Sequence, residues 1–335
     1  MASNDLREPW RRLRSRAVGV WSQARSVVVH ASHEFARDDE HLASVTNRSV
    51  TSPSAFERAR FGGVALIVLG SLLLGFIAYV VTVSPVTHAR DQGILSEELR
   101  FQLANSTSPV SQTDSDGELL ALGTPVALLE IPSIALRTVV VEGTTSTVLQ
   151  SGPGHRRDTV MPGQQGSSVI FGRQAAFGAV FSHLGSVEQG DRIRVTTGQG
   201  VASYRVVGVR VGQAELPDRP PAEGTLTLVT ATGLSFFAMD VLRVDAVLVS
   251  GAYEAGARAF TYAALPDSEL AMASQSESAA EIALYSLLLF GCVVIVSLAR
   301  RHWGRWQAWV AVLPPLVALA FLLFREASAL LPNLT

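Results

Sequence analysis

The 335-residue sequence contains a single cysteine, Cys292, and no lysine at all. One cysteine excludes a disulfide within the chain, so the fold must rest on burial and hydrogen bonding. The missing lysine, against 27 basic residues that are all arginine, reads as coding bias rather than function. Charge is scarce over long stretches: hydrophobic residues make up 48% of the chain and mean hydropathy is positive. A soluble protein rarely reads that way, so spans come first. No metal site and no cofactor are expected.

Three stretches read as transmembrane helices. Residues 61–83 carry no charge and are long enough to cross a bilayer. Residues 281–299 form a second span. Residues 307–324 form a third, with Pro314 and Pro315 inside it, as membrane helices tolerate. Ten arginines precede the first span, and Arg300, Arg301 and Arg305 sit between the second and third. By the positive-inside rule the N-terminus and the loop 300–306 are cytoplasmic, and the intervening segment and the tail 325–335 lie outside. This predicts a multi-pass protein of the plasma membrane. The first span lies too far from the N-terminus for an ordinary cleaved signal, and reads as a retained anchor. Residues 88–280 hold 20 acidic residues against 13 arginines, which offers nucleic acid no attraction.

Residues 1–60 read as an arginine-rich amphipathic segment and linker. Trp10, Trp21 and Phe35 lie on its apolar face, which suits either the inner leaflet or a tail that only enforces topology. Residues 84–124 read as a stalk, with a short helix at 90–100 and a Ser/Thr-rich stretch after it. From 125 to 252 the pattern changes to short strands bounded by glycine and proline, with only 146–150 and 177–184 helical. This predicts a mainly β, closed or nearly closed barrel. Residues 253–280 read as a linker.

The barrel's central strand is Gly224 to Gly233, where Leu226, Leu228 and Thr230 alternate with Thr227 and Val229. A rigid strand end often fixes a functional side chain at a cleft. Here that end holds Ala231.

The ordered series Leu129-Glu-Ile-Pro-Ser-Ile134, Val141-Glu-Gly143, Gly152-Pro-Gly-His to Met161-Pro-Gly163, Val169-Ile-Phe-Gly172, Phe177-Gly-Ala-Val-Phe181 and Leu226-Thr-Leu-Val-Thr230 resembles the sortase family, and most closely its actinobacterial class E/F-like members. Such proteins cleave LPXTG-type sorting signals with a cysteine thiolate, a histidine and an arginine. The resemblance implies the histidine position at Arg173, the cysteine position at Ala231, and the arginine position at Val241, or at Arg243 under a shifted alignment. None of the first three supplies the chemistry. Alanine has no nucleophile, arginine stays protonated, and valine cannot hydrogen-bond an oxyanion. His155, Arg173, Thr230, Ala231, Thr232 and Arg243 are expected to line or bind in the cleft.

The reading that follows is a membrane-anchored sortase-like pseudoenzyme, not an enzyme. It would bind a sorting-signal-like peptide, a cell-surface protein or another envelope membrane protein, as an adaptor for surface-protein attachment. One alternative is a divergent transpeptidase or peptidase using Thr230, Thr232 or Ser235 with His155, which needs a hydroxyl and that base in contact. Another is a structural subunit, which needs a filled groove and small residues at helix contacts. Arg173 could hold a carboxylate in the cleft or pair with Asp240. Leu265-Pro-Asp-Ser-Glu269 faintly resembles a sorting signal, and is read as chance.

Overall fold

The computed structural model describes residues 55–335 apart from 115, 213, 215–222, 235, 257, 275–278 and 303–304. The expected amphipathic segment and Ser235 lie outside the described residues. The chain divides into two units, Met1–Leu69 and Gly70–Thr335. What is described of the first is the beginning of helix α1 (Ala55–Ala78). All that follows concerns the second.

Helix α1 continues through a π turn at Tyr79–Val83 into α2 (Ser84–Ala104). Pro85 has no N–H to return to the preceding turn, and a π turn absorbs such a gap. The stretch expected as the first part of a stalk is therefore helical as far as Ala104. Helices α3 (Ala279–His302) and α4 (Arg305–Ala329) close the chain. Two helical stretches, not the three expected, are long and apolar enough to cross a membrane among the described residues: Leu66–Ala104 and Val310–Ala329. The expected middle span lies on α3, which runs 24 residues from Ala279 to His302 and is apolar over its described side chains, Ala279–Ile295.

Between the helices, eight strands form a closed barrel. They are β1 (Pro125–Ile131), β2 (Leu136–Glu142), β3 (Gly154–His155), β4 (Gly166–Phe171), β5 (Arg192–Thr197), β6 (Gly200–Val211), β7 (Gly224–Leu234) and β8 (Phe237–Leu248). Their order around the barrel is β1-β2-β3-β4-β7-β8-β6-β5. The β2–β3 and β4–β7 pairs are parallel, and the others antiparallel.

Alternation along each strand builds the interior. Leu129, Ile131, Ile170, Ile193, Leu226, Leu228 and Val244 are fully buried in one cluster. Val229 and Ala231, on the opposite face of β7, enter a second cluster outside the barrel wall, with Leu149, Phe171 and Leu334. Both faces of β7 are covered, so Leu226 to Ala231 are all buried, Thr227 and Thr230 included.

Helix α2 braces the wall. The Gln92 side chain donates to the backbone oxygens of Val139 (3.1 Å) and Ser151 (2.8 Å), and accepts from the Val139 N–H (2.8 Å). It supplies the backbone partners that two-residue β3 is too short to give β2. The segment after α2 packs rather than hangs. Leu120 joins the main core, and the Gln112 side chain bonds the backbone of Arg157, Ala259 and Phe260. The segment 253–280 is likewise tied down: Glu269 is buried and paired with Arg157 (2.5 Å), whose guanidinium lies over the Phe260 ring.

Candidate functional site

Strand register brings the three singled-out positions together. Ala231 on β7 pairs with Val241 on β8. The β4–β7 ladder pairs Phe171 with Val229, so Arg173, two residues past Phe171, lies at the level of Ala231. Neighbouring elements thus meet at one spot on the outer wall, and the register alone fixes it.

The chain's last residues fill that spot. Leu334 is fully buried against Leu149, Phe171, Val229 and Ala231. Its backbone oxygen accepts from the Gln174 N–H at 2.9 Å. Asn333 is fully buried one residue earlier. Its Nδ2 donates to the backbone oxygens of Thr144 and Leu270, both at 2.8 Å, and its N–H donates to Ala273 O at 2.8 Å. Ser146 Oγ donates to Leu331 O at 3.0 Å. Two open clefts, of about 410 and 440 Å³, run beside α2 and β2, and neither is lined by Arg173, Ala231 or Val241.

Arg173 is the largest fully buried side chain of this wall. It donates to the backbone oxygen of Thr335 (2.7 Å) and to both oxygens of Ser146 (2.8 Å each). Its guanidinium lies 5.3 Å from the Phe177 ring centroid. Burial pulls it down from its ordinary value to about 9, which keeps it a cation at neutral pH. The alternative partner Asp240 instead accepts from the Val241 N–H (2.7 Å).

Phe177 is held under that cation by strain. Phe177, Gly178 and Ala179 all have positive φ, at 49°, 80° and 47°. A side-chain-bearing residue costs about 1–3 kcal/mol in that region. Helix α2 keeps them there: Ser84 Oγ accepts from the Phe177 N–H (3.1 Å), and a Cβ on Gly178 would collide with the His88 ring.

The remaining expected residues fall elsewhere. His155 is fully buried in β3, with Nδ1 2.8 Å from Glu142 Oε2 and Nε2 2.9 Å from Val160 O. Thr159 Oγ1 also lies 3.1 Å from Nε2, and acceptors at both nitrogens favour the doubly protonated ring. Burial pulls the imidazole down, but the Glu142 carboxylate and the Val160 carbonyl outweigh it and raise it above the ordinary histidine value. A ring so engaged is a staple across β2 and β3, and it has no contact with Thr230. Thr230 Oγ1 is buried without a partner among the described residues. Thr232, half-buried, pairs with Asp240. Arg243, half-buried on the same face of β8 as Val241, donates to Gly212 O (2.8 Å). Burial and the nearby Arg210 pull it below its ordinary value.

Sequence reading missed the Leu331–Thr335 segment. The available signal was a Leu-Pro pair followed by a threonine directly after an apolar helix. The other Leu-Pro stretch, Leu265–Glu269, is engaged differently, with Glu269 paired to Arg157.

The Sortase domain family model matches residues 129–239, about a third of the chain. Sortase D of Bacillus subtilis (strain 168) is 33% identical over 89 residues, which are 27% of this chain and 43% of that protein. The chain therefore matches less than half the length of that relative. Among solved structures, the Clostridium perfringens sortase D5 transpeptidase is 25% identical, with a TM-score of 0.40, covering 48% of this chain and 99% of that one. Sortase E from Streptomyces avermitilis is 26% identical, with a TM-score of 0.33, covering 39% and 91%. The barrel is a sortase-family domain.

Proposed function

We propose that this domain holds a peptide and does not cut it. The carrying observation is the trio Arg173, Ala231 and Val241, which meets at one place beside a buried segment that turns at Asn333 and Leu334. A covalent transpeptidase needs a nucleophile, a proton carrier and an oxyanion donor together. At these positions stand a methyl group, a fixed cation and an isopropyl group. The wall binds backbone instead, through Gln174 N–H, Arg173 and Ser146. In this reading the protein is a membrane-anchored, sortase-like adaptor, with its barrel outside, that receives a sorting-signal-like segment of a surface or envelope protein.

The test is incubation of the full chain, in a mild detergent, with LPXTG-type peptides and with an electrophilic analogue of such a signal. The expected result is no cleavage and no covalent adduct. An adduct abolished by replacing one hydroxyl, at Thr230, Thr232 or Ser235, would return the protein to the enzymes. A second reading has its own support. The groove is filled, and Gly75 of α1 lets the Phe324 ring of α4 approach closely, as expected of a structural subunit with packed helices.

A further inference from the structure

The occupied groove is selective in its chemistry. The pocket for Leu334 has a floor of Ala231 and Val229 and walls of Leu149 and Phe171, so it is apolar throughout. The pocket for Asn333 is the opposite. Its two facing groups, Thr144 O and Leu270 O, are backbone acceptors that a carboxamide NH₂ satisfies together. A carboxylate there would oppose both oxygens, and an aliphatic side chain would leave both unpaired. Arg173 then draws in the backbone oxygens on either side, Pro332 O at 3.4 Å and Thr335 O at 2.7 Å.

The floor is what makes the leucine fit. Ala231 is 1% exposed beneath it, so a branched or longer side chain at that position, of the size of valine or above, competes with Leu334 for the same space. The segment is delivered by α4: Ser328 and Ala329 at its end are buried, and Ser328 Oγ accepts from Gln150 Nε2 (3.3 Å). Two polar atoms in the fit have no hydrogen-bond partner among the described residues, Asn333 Oδ1 and Arg173 Nε. A buried carboxamide oxygen left unpaired costs about 1–3 kcal/mol, so the seated state is held with a defect.

We infer that the Leu331–Thr335 segment is a resident ligand of this groove, exchangeable for an external peptide with a carboxamide side chain followed by leucine. This rests on the peptide-holding reading above and names its ligand class. The segment is then an intramolecular competitor: it keeps the apolar pocket closed and sets a threshold that an external peptide must exceed.

The test uses the full chain in a mild detergent, with Cys292→Ser and Ala231→Cys, so that the introduced thiol reports on the pocket floor. Alkylation should be slow in this background. It should rise at least tenfold when Leu334→Glu or Asn333→Ala is added. The synthetic peptide Leu-Pro-Asn-Leu-Thr should slow it again in those variants, and the same peptide with aspartate for asparagine should not. Hydrogen exchange at the Gln174 N–H, which Leu334 O protects, reads the same event without altering the floor. Equal alkylation and equal Gln174 exchange with and without the segment variants would overturn the inference. Release without protection by the peptide would overturn exchangeability and leave a fixed plug. Neither outcome bears on cleavage, so a failure here is distinct from a failure of the non-cleaving reading.

Discussion

Replacing Glu142 by glutamine should change how the barrel's stability depends on pH. His155 donates from both ring nitrogens, to Glu142 Oε2 at 2.8 Å and to Val160 O at 2.9 Å, with both side chains at most 1% exposed. The folded state therefore favours the imidazolium over its ordinary value of 6.5. For a histidine shifted upward, the stabilisation is complete below the ordinary value and is lost as pH rises through the raised one. Each pH unit between the two is worth about 1.4 kcal/mol. In Glu142→Gln the imidazole can stay neutral with nothing orphaned: the amide NH₂ donates to Nδ1, and Nε2–H still reaches Val160 O. The variant should be less stable than the natural chain by about 1.5–3 kcal/mol at pH 6, the worth of a hydrogen bond to a charged group. The gap should close as pH rises above 6.5. Glu142→Ala, which leaves the buried ring without its partner, should cost about 3–5 kcal/mol. Urea unfolding of the full chain in detergent, followed by far-ultraviolet circular dichroism from pH 6 to 8.5, measures all three. A natural chain and a Glu142→Gln variant that stay parallel across that range would refute the ionised pair.

Other consequences are as direct. Gln92→Ala strips the Val139 N–H and C=O of partners, and should lower barrel stability by about 1–3 kcal/mol in the same unfolding assay. Gly154→Ala would press a methyl group into the Gly143 carbonyl and the Leu149 side chain, and should destabilise by about 1–3 kcal/mol or block folding, read as soluble-versus-aggregated yield. Reporter fusions after Ser250, Arg305 and Thr335 should read outside, inside and outside. An inside signal at Ser250 would invert the proposed orientation.

The barrel was legible because its strands alternate. Leu226 and Leu228 point one way and Val229 the other, and seven of the strands were anticipated from that pattern alone. β3 was not, since two residues carry no period, and Gly154-His155 reads as loop until Glu142 is seen beside it. Arg173, Ala231 and Val241 were anticipated through resemblance, and strand register then placed them side by side. The filling of the groove was hidden. Leu331–Thr335 has no periodicity, and its contacts reach across more than a hundred residues to Thr144, Ser146 and Arg173. The expected stalk and linker misled for a related reason: polar composition predicts exposure, whereas Gln112 and Glu269 are polar because they satisfy buried backbone and a half-buried cation.

A closed cylinder has no edge from which to peel, so it must open at whichever seam is thinnest. Six of its eight junctions are ladders of three or more residue pairs, but β2 and β4 communicate only through β3, by two pairs on each side. That seam is riveted by the Glu142–His155 pair and overlaid by Gln92. Unzipping along β3 would leave one open sheet of seven strands intact, β4-β7-β8-β6-β5-β1-β2, the smallest rupture the topology allows. Amides of Val141, Gly143 and Arg156, which bond across the seam, should be the first of the wall to exchange with solvent, well before those of β7 and β8.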